Sequence, residues 1–181
     1  MKKILIGCGA LLCLCFVLLI GTYVSLPATF EVSRTKLVAG TPAEVFAVAA
    51  DLHTWPDWTV WSRDGDPSAV WDWTGPPATV GSSMSWKGDV HGTGSLTIES
   101  VEENKSMGYV LVFTEEGTDI PSHGVLRFRA SGGNTQVDWV MSGDLEGPWR
   151  LAGPFMDGLV GGMFDAGLGG LDAHMKTVLA P

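Results

Sequence analysis

The chain has 181 residues, enough for one domain with its own core plus an appendage. Its net charge is −9, with 45% hydrophobic and 17% charged residues. No acidic residue precedes Glu31, so the part beyond the N-terminal run holds all 20 Asp and Glu against 9 of the 11 Lys and Arg, a net charge of −11. A surface of that sign repels phosphate backbones and anionic lipid, which argues against nucleic acid as a partner.

Lys2 and Lys3 are followed by an uncharged run to Phe30, and Ile4–Val24 is almost wholly apolar. At about 1.5 Å per residue that run crosses the roughly 30 Å hydrocarbon core of a bilayer, so the sequence predicts one N-terminal transmembrane helix. A cleaved signal peptide is the competing reading, but Tyr23–Ala28 holds no small-x-small cleavage triplet. Leu5-Ile6-Gly7-Cys8 resembles a lipoprotein box yet lies too close to Met1 to follow an apolar region. The N-terminal charges place the N-terminus inside and the domain outside the cytoplasm, with Arg34 and Lys36 pulling the other way. The expected division is residues 1–29 as membrane anchor and short linker, with residues 4–24 in the membrane, and 30–181 as the folded domain. All three cysteines, Cys8, Cys13 and Cys15, fall in the anchor, so they leave the redox compartment open.

Phe30–Val38 alternates loosely and reads as a first strand. Thr41-Pro42-Ala43-Glu44 then opens a helix: Thr41 as cap, Pro42 in the first turn, and Glu44 closing a capping box. Val45, Phe46, Ala49 and Leu52 form its apolar face, and Trp55-Pro56 stops it. A turn or second helix carries Trp58 and Trp61, and Arg63–Ser68 is a loop. Strands follow at Val70–Thr74, Ser83–Lys87, Gly94–Val101, Met107–Phe113, Val125–Ala130 and Thr135–Ser142, separated by turns such as Glu102–Lys105, Glu115–Asp119 and Ser131–Asn134. Short strands at hairpin spacing make one antiparallel meander. Pro148–Pro154 is a broken linker. Phe155–Leu179 then carries a stripe of Met156, Val160, Phe164, Leu168, Leu171, Met175 and Val178 at helical spacing. Six glycines interrupt it, each costing about 1 kcal/mol against alanine, so this helix depends on the sheet and is expected to bend or move locally.

These residues resemble the START-like (SRPBCC) superfamily, most closely its polyketide cyclase/dehydrase and lipid-transport branch. The likeness rests on Thr41–Phe46, Asp51-Leu52, Trp55-Pro56-Asp57-Trp58 and Trp61, then on Gly81–Trp86, Gly92–Leu96 and Gly133–Met141. It spans about Phe30–Leu179. It implies an α+β helix-grip fold, a curved antiparallel sheet around a long C-terminal helix, here preceded by one transmembrane helix. It also implies a deep pocket between sheet and helix for an apolar or aromatic small molecule.

Strand alternation directs Trp86, Leu96, Ile98, Leu126, Phe128, Trp139 and Met141 to one face. With Leu111 and Phe113 of the central strand, and Val160, Phe164 and Leu168 of the helix, they are the expected ligand-binding residues. The same side chains can equally be ordinary core, and Trp55 and Trp58 read as a plug for one end. His53, His91, His123 and His174 are scattered, with no metal-site spacing, so neither metal nor cofactor is expected. No nucleophile elbow is present and no catalytic residue is assigned. The leading expectation is a membrane-tethered carrier or binder of an apolar small molecule or lipid. The alternative is a cyclase- or dehydratase-like enzyme needing a titratable group in the pocket, for which His123, Asp138 and Tyr109 are candidates. A third possibility is an interaction module with a collapsed pocket and a basic partner.

Overall fold

The computed structural model describes Gly21, residues 23–115 and residues 117–180. Seven strands form one antiparallel sheet in the order β1-β7-β6-β5-β4-β3-β2. They are β1 Thr29–Ala39, β2 Val70–Thr74, β3 Ser83–Gly88, β4 Gly92–Glu102, β5 Ser106–Glu115, β6 Thr118–Ser131 and β7 Asn134–Asp144. Strands β2 to β7 follow one another through hairpins. Only β1 crosses over, pairing with β7 from Thr29↔Asp144 to Ala39↔Asn134.

The capped helix spans Pro42–Ala49, with the capping box formed: the Thr41 N–H donates to Glu44 Oε2 at 2.7 Å and the Glu44 N–H to Thr41 Oγ1 at 3.4 Å. It stops short of Leu52 because Asp51 starts a new cap, its Oδ1 accepting from the His53 N–H at 3.0 Å. A 3-10 turn (Leu52–Thr54) and a corner helix (Trp55–Trp58) follow.

Strand β6 begins seven residues before the Val125 start that alternation suggests. Pro121 masks the pattern in the sequence. In the fold it pairs with Val112 of β5, beyond the point where β7 begins to pair at Ser122. There β6 is an edge on one side, and a missing N–H is tolerated.

The broken linker is a 3-10 segment, Gly147–Phe155, leading into the C-terminal helix, Met156–Val178. Leu126, Phe128, Val137 and Trp139 are all buried on the sheet's inner face, under this helix. The helix's glycines divide into two groups. A Cβ on Gly161 would overlap the Arg34 guanidinium, one on Gly167 the Trp139 ring, and one on Gly170 the Trp58 carbonyl; Gly158, Gly162 and Gly169 face open space. Arg34 thus reaches the helix backbone, bridging Asp157 at 2.9 Å and Asp165 at 3.2 Å. At the far end of β1 the Ala39 N–H donates to Asp172 Oδ1 at 3.0 Å.

Among the described residues no helix is long and apolar enough to cross a membrane. The predicted transmembrane run, Ile4–Val24, lies almost wholly outside the described residues.

Candidate ligand-binding site

The space between sheet and helix is filled at one end and hollow at the other. Along β5 the inward positions read Met107, Tyr109, Leu111, Phe113, Glu115, and along β7 Thr135, Val137, Trp139, Met141, Gly143. At the Tyr109–Trp139 level the corner helix supplies the filling. Trp55 meets Tyr109 edge-on at 5.4 Å and Trp139 at 5.8 Å, and Trp58 lies 5.7 Å from Trp139. Phe164 stacks on Trp139 at 4.2 Å, nearly parallel. The Trp139 indole N–H donates to Tyr109 Oη at 2.7 Å, and Gly124 leaves room for the Tyr109 ring. Burial pushes the Tyr109 hydroxyl well above the usual phenol range, and the Trp139 hydrogen bond only partly opposes it.

Beyond this level inward side chains shorten to Gly92, Ser122 and Gly143, and a cavity of about 440 Å3 opens. Leu111, Phe113, Ile120 and Met141 form its sheet wall, with Phe30 of β1 and Leu145 just after β7. Trp149 and Ala152 of the 3-10 segment and Met156, Leu159 and Val160 of the helix form the opposite wall. Polar residues are few: Thr93, Thr114 and Ser122, with Glu115 and Asp144 at the exposed strand ends; by strand alternation Ser122 and Glu115 point inward, while Thr93, Thr114 and Asp144 lie on the outward side. Among the described residues no basic side chain lines it. The volume falls within the roughly 300–1,000 Å3 of small-molecule sites, and the apolar wall with sparse polar groups fits that class. A second hollow of about 580 Å3 runs along β2 and β3, but Ser68, Asp72, Ser85, Lys87 and Asp89 make its lining polar.

Of the twelve expected ligand-binding residues, the cavity gathers Leu111, Phe113, Met141 and Val160. Trp86, Leu96, Ile98, Leu126, Phe128, Trp139, Phe164 and Leu168 are instead packed in the core, each at most 3% exposed. They face the interior, yet rings from other elements occupy the space there: Phe46 meets Phe128 edge-on at 5.7 Å, and Trp55 and Trp58 cover Trp139. Trp86, for instance, is wedged among Trp61, Trp71 and Phe113 at centroid distances of 5.7–6.1 Å. Sequence reasoning passed over Phe30, Ile120, Leu145, Trp149 and Leu159. The available signal was the pair of apolar residues Trp149 and Leu151 between the prolines of the linker.

The three acid–base candidates separate. His123 sits on the outer face, its Nδ1 3.0 Å from Glu99 Oε2. Asp138 also lies on the outer face but is 8% exposed, covered by Thr35 at 2.7 Å, Gln136 at 3.0 Å and Arg129. Tyr109 points inward but is enclosed by the aromatic plug. His91 is held in place rather than free: its ring Nε2–H donates to the Ser62 carbonyl at 2.9 Å and its backbone N–H to Asp66 at 2.8 Å. Among the described residues no cluster of three or more His, Cys, Asp or Glu could hold a metal ion.

An antiparallel sheet gripping a long C-terminal helix, with a hollow between them, defines the helix-grip class. The model of the family described as polyketide cyclase / dehydrase and lipid transport matches residues 29–176, so the chain belongs to that family, within the START-like (SRPBCC) superfamily. Solved structures agree on the fold. A putative uncharacterized protein from Rhizobium leguminosarum superposes with a TM-score of 0.63 at 14% identity, covering 82% of this chain and 95% of its own. Ara h 8.0201 gives 0.58 at 11% identity, covering 82% and 99%. Protein CV1439 from Chromobacterium violaceum gives 0.58 at 13%, covering 83% and 99%. At such identities the likeness concerns fold alone. No curated protein matches the sequence.

Proposed function

We propose that this protein is a membrane-tethered binder or carrier of an apolar small molecule or lipid, held in the cavity between β5–β7 and the start of the C-terminal helix. The observation that carries the reading is the 440 Å3 hollow, walled by apolar side chains. Burying a ligand there at about 25 cal/mol per Å2 of apolar surface supplies the affinity. Glu115 at the rim, with no basic side chain among the described residues lining the cavity, selects a neutral or cationic polar end and disfavours a free carboxylate or phosphate. The apolar run Ile4–Val24 keeps the domain beside the bilayer in which such ligands dissolve, on the extracytoplasmic side.

The test is native mass spectrometry of the chain released from mild detergent, paired with titration of N-phenyl-1-naphthylamine, a neutral apolar fluorophore. A carried lipid or saturable probe binding is expected, and Val160→Trp, which fills the hollow, abolishes it without lowering the melting temperature. Absence of any bound apolar compound sinks the reading. The cyclase- or dehydratase-like alternative finds its support in Glu115, whose position on the inward side of β5 brings a titratable group to the cavity's edge. It requires turnover of a bound substrate that Glu115→Gln removes while binding persists.

A further inference from the structure

The mouth of the cavity is bordered by side chains that a water-facing surface does not favour. Trp149, Leu151, Phe155, Leu159 and Met163 are 43–66% exposed. Phe155, Leu159 and Met163 recur every four residues, so they align along one side of the helix, and Gly158 and Gly162 between them face open space. From Gly147 to Phe164 the charged residues are Arg150 and Asp157. Both are engaged: Arg150 Nη2 donates to the carbonyls of Val24 at 3.3 Å and of Leu26, and Asp157 holds Arg34. On a domain of net charge −11, this is a patch without a free charge.

The chain's N-terminal segment reaches the domain beside this patch. Tyr23 Oη donates to the Gly147 carbonyl at 2.9 Å, and the Arg150 guanidinium lies 5.3 Å over the Tyr23 ring. The Leu145 N–H donates to the Ala28 carbonyl at 2.7 Å, and Pro27 packs on Gly153. The apolar run ends at Val24, so no slack separates it from the 3-10 segment.

We propose that the 3-10 segment Gly147–Phe155 and the first two turns of the C-terminal helix dock on the bilayer entered by the N-terminal run, so that the cavity's mouth opens onto lipid. This rests on reading Ile4–Val24 as a membrane anchor. Tyr23 and Trp149, each with an apolar body and a polar tip, suit the headgroup level. The patch attracts lipid through apolar contact, and the tether supplies the high local concentration that an acidic domain would lack if free. Trp149 and Leu159 belong both to the patch and to the cavity wall, so docking shields the entrance from water.

The test uses the full chain carrying Cys8→Ala, Cys13→Ala and Cys15→Ala, with a single new thiol from Leu151→Cys or, on the β4–β5 turn, Glu103→Cys. Each is labelled with an environment-sensitive fluorophore and reconstituted into phosphatidylcholine nanodiscs with or without nitroxide-labelled lipid. Docking gives several-fold stronger quenching at position 151 than at 103, insensitive to salt. Adding Phe155→Ser, at an exposed position outside the cavity wall, lowers that quenching without changing the melting temperature. Equal quenching at the two positions overturns the proposal, as does failure of the chain to enter the discs. It is also overturned if crosslinking shows position 151 covered by a second copy or by residues 1–20 of the same chain. Quenching at 151 without ligand binding in detergent leaves docking intact and removes the binding function instead.

Discussion

Gly162→Ala and Gly170→Ala make the same chemical change eight residues apart in one helix, and the structure assigns them opposite outcomes. Each gains about 1 kcal/mol of helix propensity. At Gly162 the added methyl meets nothing within 4 Å, so the gain is nearly whole and the melting temperature rises by about 2–4 °C. At Gly170 the methyl would overlap the Trp58 carbonyl oxygen and lie 3.0 Å from its carbon and 3.2 Å from its Cα. Backbone cannot rotate aside as a side chain would. Trp58 is itself fixed by Trp55 at 5.1 Å and Trp139 at 5.7 Å. Overpacking of this kind costs about 1–3 kcal/mol, and an obstacle of main chain puts this site in the upper part of that range. A cost of about 2–3 kcal/mol set against the propensity gain of about 1 leaves a net loss of about 1–2 kcal/mol, a fall of about 2–8 °C. The assay is thermal unfolding of the purified chain in mild detergent, followed by near-ultraviolet circular dichroism, which reports tryptophan packing. Equal stabilisation by both substitutions would show that the helix does not rest on the corner helix at Gly170, and the reasoning would be refuted.

Tyr109→Phe leaves the buried Trp139 N–H without an acceptor and destabilises by about 1–3 kcal/mol, measurable by denaturant titration. Because burial raises the Tyr109 pKa above its ordinary 10.0, the unfolded chain ionises first; the wild type therefore loses stability as pH climbs past 10, and the variant loses less there. Asp66 behaves in the opposite sense. Its carboxylate accepts from the backbone N–H groups of His91 and Val90, both at 2.8 Å, and from Ser68, which holds its pKa well below 3.8. Its contribution is complete above pH 3.8 and lost as pH falls below that value, so melting curves of Asp66→Asn and wild type should converge in acid and separate near neutrality. Gly161→Ala fills the place of the Arg34 guanidinium; a smaller response to salt in its melting temperature would show that the Asp157 and Asp165 bridges had been displaced.

The amino-acid sequence by itself determined the elements and the face each turns inward. The capping box at Thr41 and Glu44 is a contact within one turn, and the alternation of Leu126, Phe128, Val137 and Trp139 has a period of two. Such signals are local and survive in a string of letters. They also led to the family, because the Trp-Pro-x-Trp corner and the strand spacing lie within short stretches of chain. The extent of β6 was hidden, since Pro121 reads as a strand breaker until β7 is seen to stop short of it.

Only the tertiary structure decided where the hollow lies. Twelve apolar residues on the inner surfaces of sheet and helix looked equivalent, yet Trp55 and Trp58, about eighty residues distant in sequence, pack on Trp139, Phe46 meets Phe128, and Trp61 and Trp71 wedge Trp86. Four of the twelve reach open volume, joined by Phe30 near the start of β1, by Trp149 from the irregular linker, and by Leu159, which lies off the apolar stripe of the C-terminal helix. Packing of large rings depends on which elements meet in three dimensions, and no periodicity along the chain encodes that meeting.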